Sequence, residues 1–244
     1  MSIPHVTESF RVTEPRPQGS GRQNSKKVGY LMLRMLSRVL IVVMPLASSV
    51  FAQSWEVGAS GGYGLYNQSN VSSGSVSGSA GFASGLAAGA LIGNEMGHWI
   101  GGEARYTLRI DDLQVSSGST KAKATAQSHA LHYDVLLHLA SKESTVRPFF
   151  AVGAGVKFYR GTGAEPSFQP LSNLVVLTHT SEAQPLISLG GGVKFAVSRR
   201  MLVRLDARDY ATPTPSSLLA TPPGSKLSGW THDIVFLVGV STIF

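Results

Sequence analysis

From Gln53 onward the chain alternates apolar and polar positions with a period of two, with almost no helical periodicity. Successive side chains of an extended strand point to opposite faces, so this alternation predicts strands separating two unlike environments. Eight segments carry it: Trp55–Tyr66, Ala80–Ile92, Trp99–Asp111, Ser128–Ala140, Pro148–Tyr159, Pro185–Val197, Met201–Tyr210 and Trp230–Phe244. Each is 10 to 15 residues long. Soluble strands usually have roughly five or six residues, whereas a tilted strand needs about 9–11 to cross a bilayer.

The connections add a second regularity. They run 13, 6, 16, 7, 25, 3 and 19 residues, long and short in strict alternation. The long ones are Ser/Gly-rich (Asn67–Ser79), polar (Asp112–Gln127) or Pro-rich (Ala211–Gly229); the short ones are turns such as Ser198–Arg200. Outer-membrane barrels have short periplasmic turns and longer extracellular loops, and an even strand count puts both termini in the periplasm. The predicted fold is all-β: an eight-stranded antiparallel up-and-down transmembrane β-barrel with four long extracellular loops and short periplasmic turns.

Charge follows the same alternation. Thirteen charged residues fall inside the predicted strands, and all but Asp209 lie opposite the apolar row. Six are acids (Glu56, Glu103, Asp111, Asp134, Asp206, Asp233) and six are bases (Arg105, Arg109, Lys157, Lys194, Arg204, Arg208), the near-neutrality that buried charges require if they are to pair. A soluble barrel would turn this face to water. A membrane barrel turns it inward, since a lipid-facing Lys or Arg at the midplane costs roughly 2–4 kcal/mol. Strand length and loop asymmetry select the second arrangement. Gly81, Ala83, Gly85, Ala87, Gly89, Gly153 and Gly155 are placed on the inner face, where small residues leave room for long ionic side chains. Aromatics near strand ends (Trp55, Trp99, Phe149, Phe150, Tyr159, Trp230, Phe244) suit two interfacial girdles.

Composition changes the picture in three places. Cysteine is absent, which excludes disulfides, thiolate metal sites, Cys nucleophiles and an acylated lipoprotein Cys. The net charge of +7 is concentrated in residues 1–52, which hold 7 Lys/Arg against 2 Asp/Glu, leaving 14 against 12 in the rest. A basic nucleic-acid surface loses its support. Charged residues amount to 14%, against roughly 25% in soluble domains.

Residues 1–52 read as a leader. Arg34 and Arg38 precede the apolar run Val39–Leu46, and Val50 and Ala52 occupy the −3 and −1 positions of a small-residue cleavage site, as in a secretory signal peptide over 32–52. That apolar core is about half of the roughly 20 residues a spanning helix needs. Residues 1–31 form either a mis-assigned extension, with the start at Met32 or Met35, or part of a long leader. The barrel domain is expected over 53–244.

Taken together, these features make the chain resemble the eight-stranded outer-membrane β-barrel family, of the kind formed by the OmpA transmembrane domain. The family's assembly signal reads polar-x-Gly-x-x-aromatic-x-aromatic at the C-terminus. Gly239 and Phe244 match it, while Thr242 stands for the penultimate aromatic and Leu237 for the polar residue. The resemblance implies the cell outer membrane as location, with outer-membrane lipids and lipopolysaccharide as surroundings. It also implies recognition of the last strand by the barrel-assembly machinery, and long loops open to an extracellular ligand. The role it implies is structural, adhesive or envelope-stabilising and non-enzymatic, with the interior closed by ion pairs. The family also holds narrow solute channels and a few lipid-modifying enzymes.

The candidate chemistry is sparse. His129 and His132 are three apart on a strand and point to opposite faces, so they cannot chelate one ion; His132 and Asp134 fit the interior network. His98 is placed in a turn and His232 near a rim, and the pair Asp111–Asp112 reads as a solvated strand end. His179-Thr180-Ser181-Glu182 is similar to the strand-borne His-x-Ser of barrel lipid A deacylases, which pair it with a Glu, as nucleophile activation requires. It lies in the longest predicted connection, and ordinary loop polarity is the expected reading. Gly190–Gly192 lacks the Lys-Ser/Thr of a phosphate loop. No catalytic, cofactor or metal residue is assigned.

Overall fold

The computed structural model describes residues 54–73, 76–163, 169–222, 225–227 and 229–244, all within the compact unit Ala52–Phe244. The expected leader and its cleavage site lie outside the described residues.

Eight long strands form the framework: β1 (Trp55–Tyr66), β2 (Gly85–Glu95), β3 (Ile100–Ser117), β4 (Thr120–His138), β5 (Val146–Gly161), β6 (Ser181–Ala196), β7 (Met201–Pro213) and β8 (Trp230–Ile243). Each pairs antiparallel with its sequence neighbours, and β8 pairs back onto β1. The ring is closed. Its register can be followed residue by residue from Glu56 through Gly93, Glu103, Asp134, Gly153, Ser188, Tyr210 and Asp233 to Tyr66. The path returns to β1 ten residues beyond its start. A shear of that size over eight strands tilts them by about 40° from the barrel axis, and leaves an interior that side chains can fill.

The outer face carries Leu86, Ile110, Leu131, Leu137, Phe150, Phe158, Leu189, Phe236 and Val238, all exposed. This is the lipid-facing row of the predicted alternation. Trp55, Trp99, Phe150, Trp230 and Phe244 are exposed near strand ends. Two expected girdle residues are not: Phe149 and Tyr159 are buried inside, one position out of phase with the lipid face.

Past Asp111 the two faces exchange character. On β3 the inward row runs Arg109, Asp111, Leu113, Val115, and the outward row runs Leu108, Ile110, Asp112, Gln114. On β4 the inward row changes from Asp134 and His132 to Ala126, Ala124 and Ala122, as the outward row changes from Leu131 to Gln127 and Lys123. Apolar-out becomes apolar-in at this level of the ring.

This exchange corrects two expectations. The segment Asp112–Gln127 is not a loop: β3 and β4 continue through it as a hairpin closed by Gly118 and Ser119, with Gly118 at φ 56°. A two-residue hairpin turn favours glycine at that left-handed position. The strand expected at Ala80–Ile92 is split into Val76–Phe82 and β2. Phe82 pairs with Leu113 but Leu86 pairs with Ile110, so one extra residue is accommodated on this side. This bulge reverses the parity of the inward row. Ala80 and Phe82 point into the core, in place of the expected Gly81 and Ala83.

The remaining long connections also build structure. Ser69–Ser73 pairs with Val76–Phe82 and with Ser225–Leu227, and Val176–Leu177 pairs with Leu219–Ala220. Phe82, Leu113, Val115, Leu171, Leu174, Val175, Leu177, Leu218 and Leu219 form one buried apolar cluster at this end.

Candidate functional site

The barrel interior gathers most of the charged side chains of the strands. All twelve charges assigned to the inner face are buried. Two more, Glu95 and Arg147, join them at the turn end. Both lie just outside the strands expected from sequence, and β2 and β5 extend far enough to carry them inward. Among the described residues the interior therefore holds seven carboxylates and seven Lys or Arg cations.

They form connected layers. At the turn end Arg147 pairs with Glu95 and donates to the His98 carbonyl at 2.8 Å, while Lys194 Nζ lies 2.6 Å from Glu56 Oε2. The central layer is built on Arg204, which contacts Glu56 at 2.7 Å, Glu103 at 2.8 Å and Asp206 at 3.4 Å. Arg105 joins Glu103 at 2.7 Å to Asp206 at 3.2 Å. Arg208 reaches Asp134 at 3.3 Å, and Asp134 accepts from His132 Nδ1 at 2.9 Å. Above these, Lys157 Nζ sits 2.6 Å from Asp233, which also contacts Arg109 at 3.4 Å; Arg109 meets Asp111 at 3.0 Å. The Tyr66 ring lies 4.8 Å from Lys157 Nζ and 5.0 Å from the Arg109 guanidinium carbon, close enough for cation–π attraction.

Aromatic and small residues fill the gaps between charges. Phe149, turned inward, lies 5.4 Å from the Arg204 guanidinium and 5.5 Å from that of Arg208. A Cβ at Gly192 would stand 2.8 Å from the Phe149 ring, and one at Gly64 would overlap the Arg109 guanidinium. Those two glycines are the space into which long side chains from other strands extend. His138 packs beside Phe149 at 6.0 Å between ring centroids.

The other histidines separate as their spacing demands. His132 faces inward, and His129 faces outward with Nδ1 2.7 Å from the Tyr106 hydroxyl. His98 is exposed in a turn, and His232 pairs on the outer surface with Asp209 at 2.8 Å. Asp111 turns in to Arg109, while Asp112 turns out to Lys123 at 3.8 Å. Of the hydrolase-like segment, Ser181 opens β6 and is exposed. Glu182 accepts from the Ser217 backbone N–H at 2.7 Å and from the Gln184 amide.

Among solved structures, the chain is similar to a major outer membrane protein from Thermus thermophilus, with 13% identity, 79% of this chain and 100% of that one covered, and a TM-score of 0.51. It is also similar to Neisserial surface protein A, at 16% identity, 79% and 99% coverage and a TM-score of 0.45. A third is Ail, the attachment invasion locus protein of Yersinia pestis, solved with the heparin analogue sucrose octasulfate, at 10% identity, 78% and 99% coverage and a TM-score of 0.42. The Thermus protein shares the fold. No curated protein sequence matches significantly. The family model of the outer membrane protein beta-barrel domain matches residues 39–243. With that share of its length matched, and with eight antiparallel strands closed into a ring, the chain belongs to the outer-membrane β-barrel family.

Proposed function

We propose that this protein is a closed, non-enzymatic barrel of the outer membrane whose work is done at its long-loop end, as a structural, adhesive or envelope-stabilising surface. The observation that carries this reading is that the lumen is occupied at two successive levels. Arg204, Glu103 and their neighbours cross-link opposite walls, and the apolar cluster around Leu113 and Leu174 follows them at the loop end. An interior of that kind favours rigidity over transport. Rigid scaffolds that display loops suit binding at the cell surface.

In this reading residues 32–52 direct export and are removed after Ala52. The exposed apolar row contacts outer-membrane lipid and lipopolysaccharide, and the last strand is recognised by the barrel-assembly machinery. The long connections meet any extracellular ligand. Two alternatives compete: a narrow channel for small solutes, and a lipid hydrolase using His179 and Ser181. Against the second, both oxygens of Glu182 are engaged by Ser217 and Gln184 within the loop framework.

The test is fractionation of expressing cells followed by electrophoresis with and without boiling, together with a lipid A deacylation assay. Heat-shifted migration from the outer-membrane fraction and no deacylation are expected. Deacylation that disappears in Ser181→Ala would replace this function with the hydrolase.

A further inference from the structure

Positive charge collects at one place on the outer surface of the barrel. On β4 and β5, Leu131 pairs with Val156 and His129 with Phe158, and Leu131, Val156 and Phe158 are exposed on the lipid-facing side. One step towards the loops Gln127 pairs with Arg160, which is exposed on the same face. Lys123 and Lys121 follow on the outward row of β4, both exposed. No other strand of the ring places a Lys or Arg on its outward face. Outward acids are few and already engaged: Asp209 holds His232 at 2.8 Å, and Asp112 lies 3.8 Å from Lys123. Among the described residues, Arg160 and Lys121 form no ion pair.

A patch that begins one residue pair beyond the apolar belt sits at headgroup level. Lys123 is four residues along β4 from the partner of Arg160, about 13 Å at the rise of an extended strand. That offset spans two anionic centres better than one. An Arg fork suits bidentate contact with a phosphate, and a Lys pair supplies mobile point charges.

We propose that the outward faces of β4 and β5 bind a diphosphorylated glycolipid of the outer leaflet. One phosphate is held at Arg160 and the other at Lys121 and Lys123, with acyl chains lying on Leu131, Val156 and Phe158. The proposal rests on the outer-membrane reading above, in which lipopolysaccharide surrounds the barrel, and adds the residues that hold its phosphates.

The experiment is native mass spectrometry of the full-length protein in detergent micelles, titrated with diphosphoryl lipid A, monophosphoryl lipid A and inorganic phosphate. Heat-shifted migration of every sample is checked first, and its absence from the parent protein overturns the barrel reading itself. In folded protein, adducts with diphosphoryl lipid A are expected at the lowest concentration. Affinity should fall on the order of a hundred-fold in a Lys121→Gln/Lys123→Gln/Arg160→Gln variant, given the contribution of each cation near an anionic surface. Arg160→Lys should retain part of the binding, and Arg199→Gln/Arg200→Gln, at the turn end, all of it. Equal binding by the triple variant, or no preference for two phosphates over one, overturns the proposal. Displacement of the lipid by millimolar inorganic phosphate identifies a free-anion site and overturns the lipid assignment.

Discussion

Glu103 on β3 and Arg204 on β7 stand on opposite walls of the eight-stranded ring and meet across the lumen at 2.8 Å. Arg204 touches Glu56 and Asp206 as well, so a single guanidinium links β1, β3 and β7. Removing it leaves three buried carboxylates short of a partner. Arg204→Ala is expected to destabilise the barrel by about 3–5 kcal/mol where the site is dry. The denaturant midpoint of heat-shifted migration measures this; an unchanged midpoint would mean the charges are solvated rather than paired.

Two glycines separate packing from backbone strain. Gly64→Val drives a side chain into the Arg109 guanidinium, which is anchored by Asp111 and Asp233. An overpacked site of this kind costs about 1–3 kcal/mol. Gly118→Val meets no steric obstacle but places a β-branched residue at φ 56°, a strain of roughly 1–2 kcal/mol. Because Gly118 caps the hairpin beyond the lipid-facing row, its variant should keep the parent's midpoint more nearly than Gly64→Val. The reverse order in urea titrations would contradict the assigned interior.

The apolar cluster at the loop end predicts a local phenotype. Leu174 is fully buried within it. Leu174→Asp puts an unpaired carboxylate there, so the connections should become sensitive to protease on intact cells while the eight-stranded core still shows heat-shifted migration. Unaltered protease resistance would show that the cluster does not hold the loops.

Phe244 closes the seam between first and last strands. Its N–H donates to the Trp55 carbonyl at 3.0 Å, and its own carbonyl accepts from the Trp55 N–H at 2.9 Å. Deleting it removes both bonds together with the terminal aromatic. Reduced insertion into the outer membrane is expected in fractionated cells, and parental levels would count against this role.

Much of this architecture is readable from alternation alone, because a lipid-facing row and a charged lumen are as unlike as two environments can be. Glu103, Arg105 and Arg109 can be assigned to one face from their spacing on a single strand. Past Asp111 the same test fails for a physical reason. Water replaces lipid outside and the interior becomes apolar, so Leu113, Val115 and the Ala122–Ala126 row keep the alternation with its sign reversed, and the segment reads as a polar loop. The bulge between Phe82 and Leu86 hides the true inward row in the same way, by slipping one residue without breaking the strand-like composition. Phe149 is misplaced when its place near a strand end outweighs parity: it shares the inward row of Lys157, where the Gly192 recess and the surrounding cations receive it. The partners of each charge depend on a shear of ten residues, which no single strand encodes.

The most direct test of a closed lumen is conductance across a planar lipid bilayer holding the purified wild-type protein. No steady current above the bare bilayer is expected, and Arg204→Ala should admit ions if the barrel survives its loss. A large, steady conductance in the wild type, unaffected by Arg204→Ala, would show that the interior is a water-filled pore rather than a packed network of charges.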